Sequence, residues 1–342
     1  MKIRSIPKEA RKDYYKKVLL GSNEKRGMIM SCVVYTLLIT IAFIYLYPVL
    51  YMFSRSLMSS KDLLDSSAKW IPSTLTLSNY KQAIDTMDYW NSLWKNLVIA
   101  LSATLCQVFI TSWVGYGFAR YNFPGKLLWM ALLILSFLLP AQTIAVPNFL
   151  LFNSDIPLFF KNHFGMDMQI IDGTIKPFVI TAILGQGFKS CLCILIFYNF
   201  HRQTPQSLIE AAEIDGAGHI KAYFRIAVPL CSAAIVVVTL FSFVWYWNET
   251  YTTSLFMGNA SFGHTKSIST LVMELAKFED SYLAYLEKVG GWAAKNSGGA
   301  NIQNEAITMA GTILTIAPLL IVSFCLQRYF TDAIDRSGIT GE

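Results

Sequence analysis

Charged side chains are scarce in this 342-residue sequence, where Asp, Glu, Lys and Arg together make up 15% of the residues, against roughly 25% in an average soluble domain. Hydrophobic residues make up 54%. Apolar stretches of about 20 residues, long enough to cross the hydrocarbon core of a bilayer as helices, recur along the chain. A soluble core does not account for six of them. The composition therefore predicts an all-α integral membrane protein.

Six spans are predicted from these stretches, within a transmembrane domain that covers 28–342 and follows a basic segment, 1–27. The first apolar run is longer than that of a signal peptide, so we interpret it as a retained helix. Polar segments separate the spans, and the longest is 253–306. The predicted spans are 28–53, 94–118, 128–150, 175–199, 229–252 and 307–328.

Positive charge is concentrated on one predicted side of the membrane. Nine of the 28 Lys and Arg residues precede the first span. Together with those in the other segments on the same side of the membrane as the N-terminus, they make sixteen. By the positive-inside rule both termini are cytoplasmic, and the basic N-terminal segment is attracted to anionic lipid. No zinc spacing, RNA-binding signature or helix-turn-helix pattern accompanies these charges, so nucleic acid is not an expected partner.

Sequence patterns of catalysis are missing. There is no H-E-x-x-H or G-x-S-x-G motif and no pair of acids within a span, which argues against an intramembrane protease or a lipid-linked sugar transferase. All six cysteines fall inside predicted spans, and Cys191 and Cys193 point to different sides of a helix, so no metal site is expected. The glycines of GQGFKS, at 185–190, are interpreted as sites of close helix packing.

The polar segment 200–228 carries an ordered set of charges, alanines and glycines. Thr204-Pro205, or a capping box of Ser207 and Glu210, predicts the start of a helix over about 205–214. Gly216 is expected to end that helix in the left-handed conformation. The helix is too polar for lipid, so we expect it to lie along the cytoplasmic membrane surface. It is either a docking element or a plain interfacial connector.

The order of residues distinguishes these alternatives through a family resemblance. Glu210-Ala211-Ala212-x3-Gly216-x9-Ile226-x-Val228-Pro229 resembles the EAA loop of permease subunits of binding-protein-dependent ABC importers, E-A-A-x3-G-x9-I-x-L-P, with Val228 in place of leucine. TLSNYKQAI, GYGFARYNFPGK, WNETY and QRYFTDAIDRSGITGE are similar to segments of the maltose-type carbohydrate branch. The stretch 258–306 is longer than the family pattern.

The resemblance implies the type I ABC importer permease fold, with six transmembrane helices in a bacterial inner or plasma membrane. It implies an EAA loop at 203–229, whose first helix is the coupling helix that contacts the ATPase. The residues carried over to this role are Glu210, Ala211, Ala212, Asp215, Gly216, Ile226 and Pro229.

The implied partners are a second permease in a heterodimer, two ATP-binding subunits and an extracytoplasmic solute-binding protein. ATP and Mg would bind to the ATPase, with no cofactor in this chain. The absence of a G-x-x-x-x-G-K-[ST] motif agrees with this division, so the chain is not expected to be an enzyme.

Polar and aromatic residues within spans are candidates for lining the translocation pathway, because their burial in lipid is costly. Trp245, Trp247 and Asn248 cluster at one end of the fifth span, and Gln107 and Gln142 lie in or near others. Sugars favour aromatic faces beside hydrogen-bonding groups. An interfacial aromatic belt equally explains the tryptophans, and hydrogen bonding between helices explains the glutamines.

A secondary transporter of a small polar solute is the alternative function. Such proteins commonly show inverted repeats, broken spans and intramembrane acids, none of which stands out here. An inner docking helix would also have no purpose in such a protein. Recovery of an ATPase and a second permease with this chain would distinguish the two.

Overall fold

The computed structural model describes residues 21–22, 25–65, 70–166, 170–171, 174–257, 269–295 and 299–336. These residues are helical, apart from loops and a minimal antiparallel pair of strands, β1 (Gly21–Ser22) and β2 (Lys25–Arg26). The chain divides into two compact units, residues 1–77 and 78–342.

Two helices lie among the described residues of the first unit. Helix α1 (Met28–Ser56) contains 29 residues, apolar on all sides, and its large side chains are exposed over nearly the whole length, with Tyr45 78% exposed. A helix that is hydrophobic all round without a protein core to cover it is typical of a membrane span. Helix α2 (Ser60–Leu64) follows, and the side chains of Ser59 and Asp62 form a capping box at its start.

The second unit contains a helical bundle. Its helices, in chain order, are α3 (Ser78–Thr86), α4 (Tyr89–Arg120), α5 (Lys126–Leu138), α6 (Ala141–Leu150), α7 (Ile156–Phe164), α8 (Lys176–Ile183), α9 (Ser190–Gln203), α10 (Gln206–Ile214), α11 (His219–Ala222), α12 (Val228–Leu230), α13 (Ser232–Asn248), α14 (Tyr251–Met257), α15 (Leu271–Ala276), α16 (Phe278–Lys295) and α17 (Gly299–Arg336). The most extensive packing is between α4 and α9, between α4 and α13, and between α13 and α17. Helix α4 is therefore the centre of the bundle.

A glycine allows α4 and α9 to approach closely. A Cβ atom added at Gly115 would lie 2.7 Å from the Cβ of Phe197 and 3.0 Å from the backbone nitrogen of Tyr198. These neighbours include backbone and cannot move independently. Small residues at membrane helix interfaces permit such contacts.

We therefore expect Gly115→Ala to destabilise the bundle by about 1–3 kcal/mol, the usual cost of overpacking. Gly117→Ala is the matched control, because a Cβ at Gly117 meets no atom within 4 Å. Thermal unfolding of the detergent-solubilised protein measures both. Equal unfolding temperatures for the two variants would contradict the close approach.

By length and composition, four described helices suffice to cross a membrane: Met28–Ser56, Tyr89–Arg120, Ala141–Phe164 and Glu305–Tyr329. If the bent pair of His219–Leu230 and Ser232–Asn248 is counted as one span, the number of candidate spans among the described residues rises to five. The third predicted span, 128–150, is not one continuous helix in the structure. It is interrupted at Leu139 and Pro140, between α5 and α6. Proline lacks an amide hydrogen and disfavours a helical conformation in the residue before it.

After that break, the helical run continues from Ala141 to Phe164 through a π-helical turn, Leu151–Asp155. It thereby occupies part of 151–174, the segment between the third and fourth predicted spans, which is expected to be an outer loop. The predicted fourth span, 175–199, is likewise divided into α8 and α9. Between them, Gly185 and Lys189 adopt left-handed conformations, with φ of 72° and 52°, which interrupt helical hydrogen bonding.

In the long segment 253–306, apolar residues recur at spacings near three and four, a pattern that predicts a short amphipathic helix. Phe278 and Tyr282, one turn apart on α16, are each 2% exposed, and Leu275, Tyr285 and Leu286 pack against the same core cluster. The apolar spacing near three and four residues is thus confirmed as the buried face of α16.

Candidate docking and coupling site

The EAA loop begins with α10, which the structure starts at Gln206. The Thr204-Pro205 signal marks this start, and the amide of Leu208 donates to the carbonyl of Pro205 at 3.3 Å. A capping box of Ser207 and Glu210 does not form, because Ser207 already lies inside the helix. The carboxylate of Glu210 instead accepts a hydrogen bond from the Gln206 side-chain amide at 2.9 Å.

The helix ends in the conformation that the sequence predicts. Gly216 has φ of 80°, and the amide of Ala217 donates to the carbonyl of Ala212 at 2.9 Å. This six-residue hydrogen bond across a left-handed glycine is the Schellman motif. Asp215, the residue before the glycine, is exposed. The turn is tight and its position is fixed by a single residue.

One face of α10 is left uncovered by the residues that the structure describes. Ile209 is 7% exposed and faces inward, whereas Ile214 is 87% and Leu208 46% exposed. Glu210 and Ala211 are also exposed, and Ala212 is half-buried. Large apolar side chains beside charges on a short protruding helix are typical of a protein interaction surface.

The second half of the loop runs back to the bundle as α11, a π-helical turn (Tyr223–Ala227) and α12. Ala222, Tyr223 and Ala227 are buried, Ile226 is half-buried and Pro229 is exposed. The helix axis then bends by 78° before α13. The fifth span therefore begins at Ser232 rather than at Pro229.

Two hydrogen bonds hold both halves of the loop to α4. The guanidinium of Arg120, the last residue of α4, donates to the carbonyl of Thr204 at 2.8 Å. The hydroxyl of Tyr223 donates to the hydroxyl of Ser112, also on α4, at 2.9 Å, and this bond is buried. Helix α4 is thus attached to the loop before α10 and again after it.

A buried histidine lies behind these attachments. His201 is fully buried, and its Nδ1 lies 3.1 Å from the Sγ of Cys231. Its ring also contacts that of Tyr116, with 5.2 Å between centroids. Burial, and secondarily the positive charge of Arg120, lowers the pKa of His201 to about 4. The imidazole is therefore neutral at physiological pH.

This shift predicts a pH dependence of stability. Since the pKa of His201 falls from about 6.5 in the unfolded chain to about 4 in the folded one, the unfolded state binds more protons between these values. Stability present above pH 6.5 should fall as the pH drops toward 4. We expect the unfolding temperature to decline over this window and His201→Gln to flatten that decline. An unchanged slope in the variant would exclude His201 as the cause.

Among the predicted pathway residues, Gln107 is fully buried in a hydrogen-bonded cluster. Its side-chain amide donates to the carbonyl of Phe188 at 2.8 Å, and its carbonyl accepts from the Tyr246 hydroxyl at 2.6 Å. A Cβ atom at Gly187 would overlap both partners of that second bond. Gln107 therefore joins α4 to α13 and to the α8–α9 connection. This arrangement matches the alternative interpretation of Gln107, hydrogen bonding between helices, rather than lining of the pathway.

The other pathway candidates are not brought together. Trp247 is 1% exposed and packs on Phe243, with ring centroids 5.5 Å apart. Trp245 is half-buried on another face, with the Lys189 ammonium 4.7 Å from its ring centroid. Asn248 and Gln142 are exposed. That any of these residues lines a pathway stays a prediction.

Sequence reasoning missed the attachments of the loop to α4. Arg120 lies in the segment GYGFARYNFPGK, which supported the family resemblance but carried no role. Ser112 lies eight residues earlier in a helix of mostly apolar residues. Because the partners are 84 and 111 residues apart in sequence, no local spacing reveals them.

The chain is similar in sequence and in fold to known membrane transport proteins. Residues 107–336 match the family described as binding-protein-dependent transport system inner membrane component. The osmoprotective compounds uptake permease GgtD of Synechocystis sp. is 26% identical over 92% of this chain and 94% of its own length. The trehalose permease SugB of Mycobacterium tuberculosis is 27% identical, covering 86% and 93%.

The polygalacturonan/rhamnogalacturonan permease YtcP of Bacillus subtilis is 23% identical over 92% of this chain and all of its own length. Among solved structures, a bacterial ABC transporter that imports the acidic polysaccharide alginate contains a chain of the same fold, with a TM-score of 0.63 and 19% identity over 88% of this chain and 96% of that one. The family match spans well over half of the sequence and includes the whole EAA loop. This protein therefore belongs to the binding-protein-dependent transport system inner membrane components, with the fold of an ABC importer permease.

Proposed function

We propose that this chain forms half of the pathway by which an ABC importer takes up a sugar or oligosaccharide. The EAA loop carries this proposal, since a short helix stopped by Gly216 presents uncovered apolar side chains at one end of the bundle. The carbohydrate class is supported by relatives whose names specify trehalose and polygalacturonan/rhamnogalacturonan.

The partners follow from the same family. A second permease completes the pathway, two ATP-binding subunits receive the coupling helices, and a soluble binding protein delivers the solute on the outer side. ATP and Mg belong to the ATP-binding subunits, so hydrolysis takes place outside this chain. In this orientation both termini and the EAA loop are cytoplasmic, as the distribution of Lys and Arg favours.

The attachments to α4 explain how a movement of α10 would reach the membrane. Helix α4 has 32 residues, a length of about 48 Å at 1.5 Å per residue, so it extends from the loop to the opposite end of the bundle. Closure of the ATPase pair on ATP would displace α10, and the Arg120 and Tyr223 hydrogen bonds would transmit that displacement to α4. ATP binding would thereby shift the population between inward-facing and outward-facing arrangements.

The test is purification followed by reconstitution. We expect the tagged chain to recover a second permease and an ATPase, and the complex in vesicles to accumulate a solute only with ATP and the binding protein. Recovery of this chain alone, with uptake driven by an ion gradient, would overturn the proposal in favour of a secondary transporter.

A further inference from the structure

The helical segment His219–Leu230, here called the elbow segment, lies across the end of α13. Its axis makes an angle of 78° with that of Ser232–Asn248. At 1.5 Å per residue its length is about 18 Å. If α13 crosses the membrane near the normal, the elbow segment lies close to the membrane plane, as interfacial amphipathic helices do.

The elbow segment has an apolar face that the described part of the chain leaves uncovered. Ile220 is 64% and Phe224 46% exposed, whereas Ala222, Tyr223 and Ala227 are 2% exposed or less. Positions 220 and 224 are one helical turn apart and so share a face. The segment therefore packs on the bundle with one side and presents a second apolar side outward.

The rings around Phe224 join that outward face to an exposed apolar stripe of α4. The ring of Phe224 stacks on Phe109 at 6.3 Å and lies 5.9 Å from Trp113. Phe109 and Trp113 continue a stripe of α4 that begins at Leu105, all three being 40% exposed or more. Exposed apolar side chains along a membrane-spanning helix are typical of a surface in contact with hydrocarbon, and Phe224 extends this stripe.

Basic side chains adjoin this apolar face. Lys221 and Arg225 are exposed and are one turn apart, each directly following an exposed apolar residue. The sequence contains no Asp or Glu between 216 and 248. Exposed positive charge beside apolar side chains in an interfacial segment is the pattern that recognises anionic lipid headgroups.

We propose that Lys221 and Arg225 bind the headgroup phosphates of anionic phospholipids and thereby hold the elbow segment at the bilayer surface. This inference depends on the proposed function only for its effect on transport. An acidic surface of the ATPase is disfavoured as the occupant, because the adjacent Phe224 belongs to the lipid-facing stripe rather than to the uncovered face of α10. The bound lipid would thereby hold in place the segment that directly follows the coupling helix, α10.

The test uses the full transporter in nanodiscs with a photoactivatable phosphatidylglycerol probe, and adducts are mapped to peptides. In the wild type we expect adducts on 219–230 that unlabelled phosphatidylglycerol competes away much better than phosphatidylcholine. Each basic residue near an anionic surface contributes about fivefold to binding. Lys221→Gln with Arg225→Gln should therefore weaken the competition about thirtyfold.

The matched control is Lys126→Gln with Arg202→Gln, which removes two positive charges near the same end of α4 and α9 and should leave these adducts unchanged. Equal competition by the two lipids in the wild type would overturn the proposal. Loss of ATPase co-purification in the Lys221/Arg225 variant, with labelling intact, would assign the pair to the ATPase instead. Failure of the wild type to recover an ATPase would overturn the proposed function. The lipid competition would still test the role of Lys221 and Arg225, because it does not depend on the ATPase.

Discussion

Gly216→Val is expected to abolish solute uptake while leaving the chain inserted in the membrane. Gly216 has φ of 80°, a conformation that costs an ordinary residue roughly 1–2 kcal/mol and a β-branched residue more. A Cβ at this position meets no atom within 4 Å, so the effect comes from the backbone alone. The turn would relax, and α10 would leave the direction in which it meets the ATPase.

Gly218→Val provides the control, two residues away. Gly218 has φ of −65° and ψ of 160°, which any residue adopts, and a Cβ there also meets open space. Uptake of radiolabelled solute and membrane insertion are measured for both variants in the assembled transporter. Normal uptake by Gly216→Val, or an equal loss in Gly218→Val, would contradict the role of the left-handed turn.

Arg120→Ala is expected to uncouple ATP hydrolysis from transport. The variant removes the charged donor to the Thr204 carbonyl, an interaction worth about 1.5–3 kcal/mol. The start of the loop is then no longer attached to α4, and movement of α10 is transmitted less completely. We expect solute transported per ATP hydrolysed to fall roughly tenfold, the change that corresponds to 1.4 kcal/mol, with α10 still able to meet the ATPase.

The ratio is measured in proteoliposomes, with uptake and phosphate release followed in the same sample. Arg202→Ala is the control, since Arg202 is exposed and stacks on Tyr198, with 5.6 Å between the guanidinium and the ring centroid. It removes the same charge without touching the loop attachment. A parallel loss of uptake and hydrolysis in Arg120→Ala would indicate general misfolding and reject a coupling role.

The features predictable from sequence are those with local causes. The end of α10 follows from the conformational freedom of Gly216, and the buried face of α16 follows from apolar residues at helical spacing. Both signals lie within a few residues of the structure they determine. Hydropathy predicts the all-α membrane class, and the resemblance of the EAA loop to that of ABC importer permeases implies the fold.

The features not predicted depend on tertiary contacts or on breaks that hydropathy averages over. Pro140 is a sequence signal for a kink or an end of the third span, but a hydropathy window averages over that break and over the short stretch GQGFKS that contains the left-handed Lys189. Gln107 could equally face a pathway or another helix until Tyr246 is placed beside it. The attachment of Tyr223 to Ser112 likewise requires the folded packing of α4.

The account is tested most directly by cross-linking from α10. Ala211 is exposed on α10, the proposed coupling helix. In the experiment, Ala211→Cys carries a benzophenone maleimide in inside-out membrane vesicles that contain the whole transporter. The control is Asp85→Cys, an exposed position on α3. It lies between the first and second predicted spans, in a segment that the predicted orientation places on the outer side. The account predicts a light-dependent adduct between Ala211→Cys and the ATP-binding subunit, altered by ATP, and none from the control. Labelling of the Ala211 position only from the outer side, or the absence of any adduct with that subunit, would contradict it.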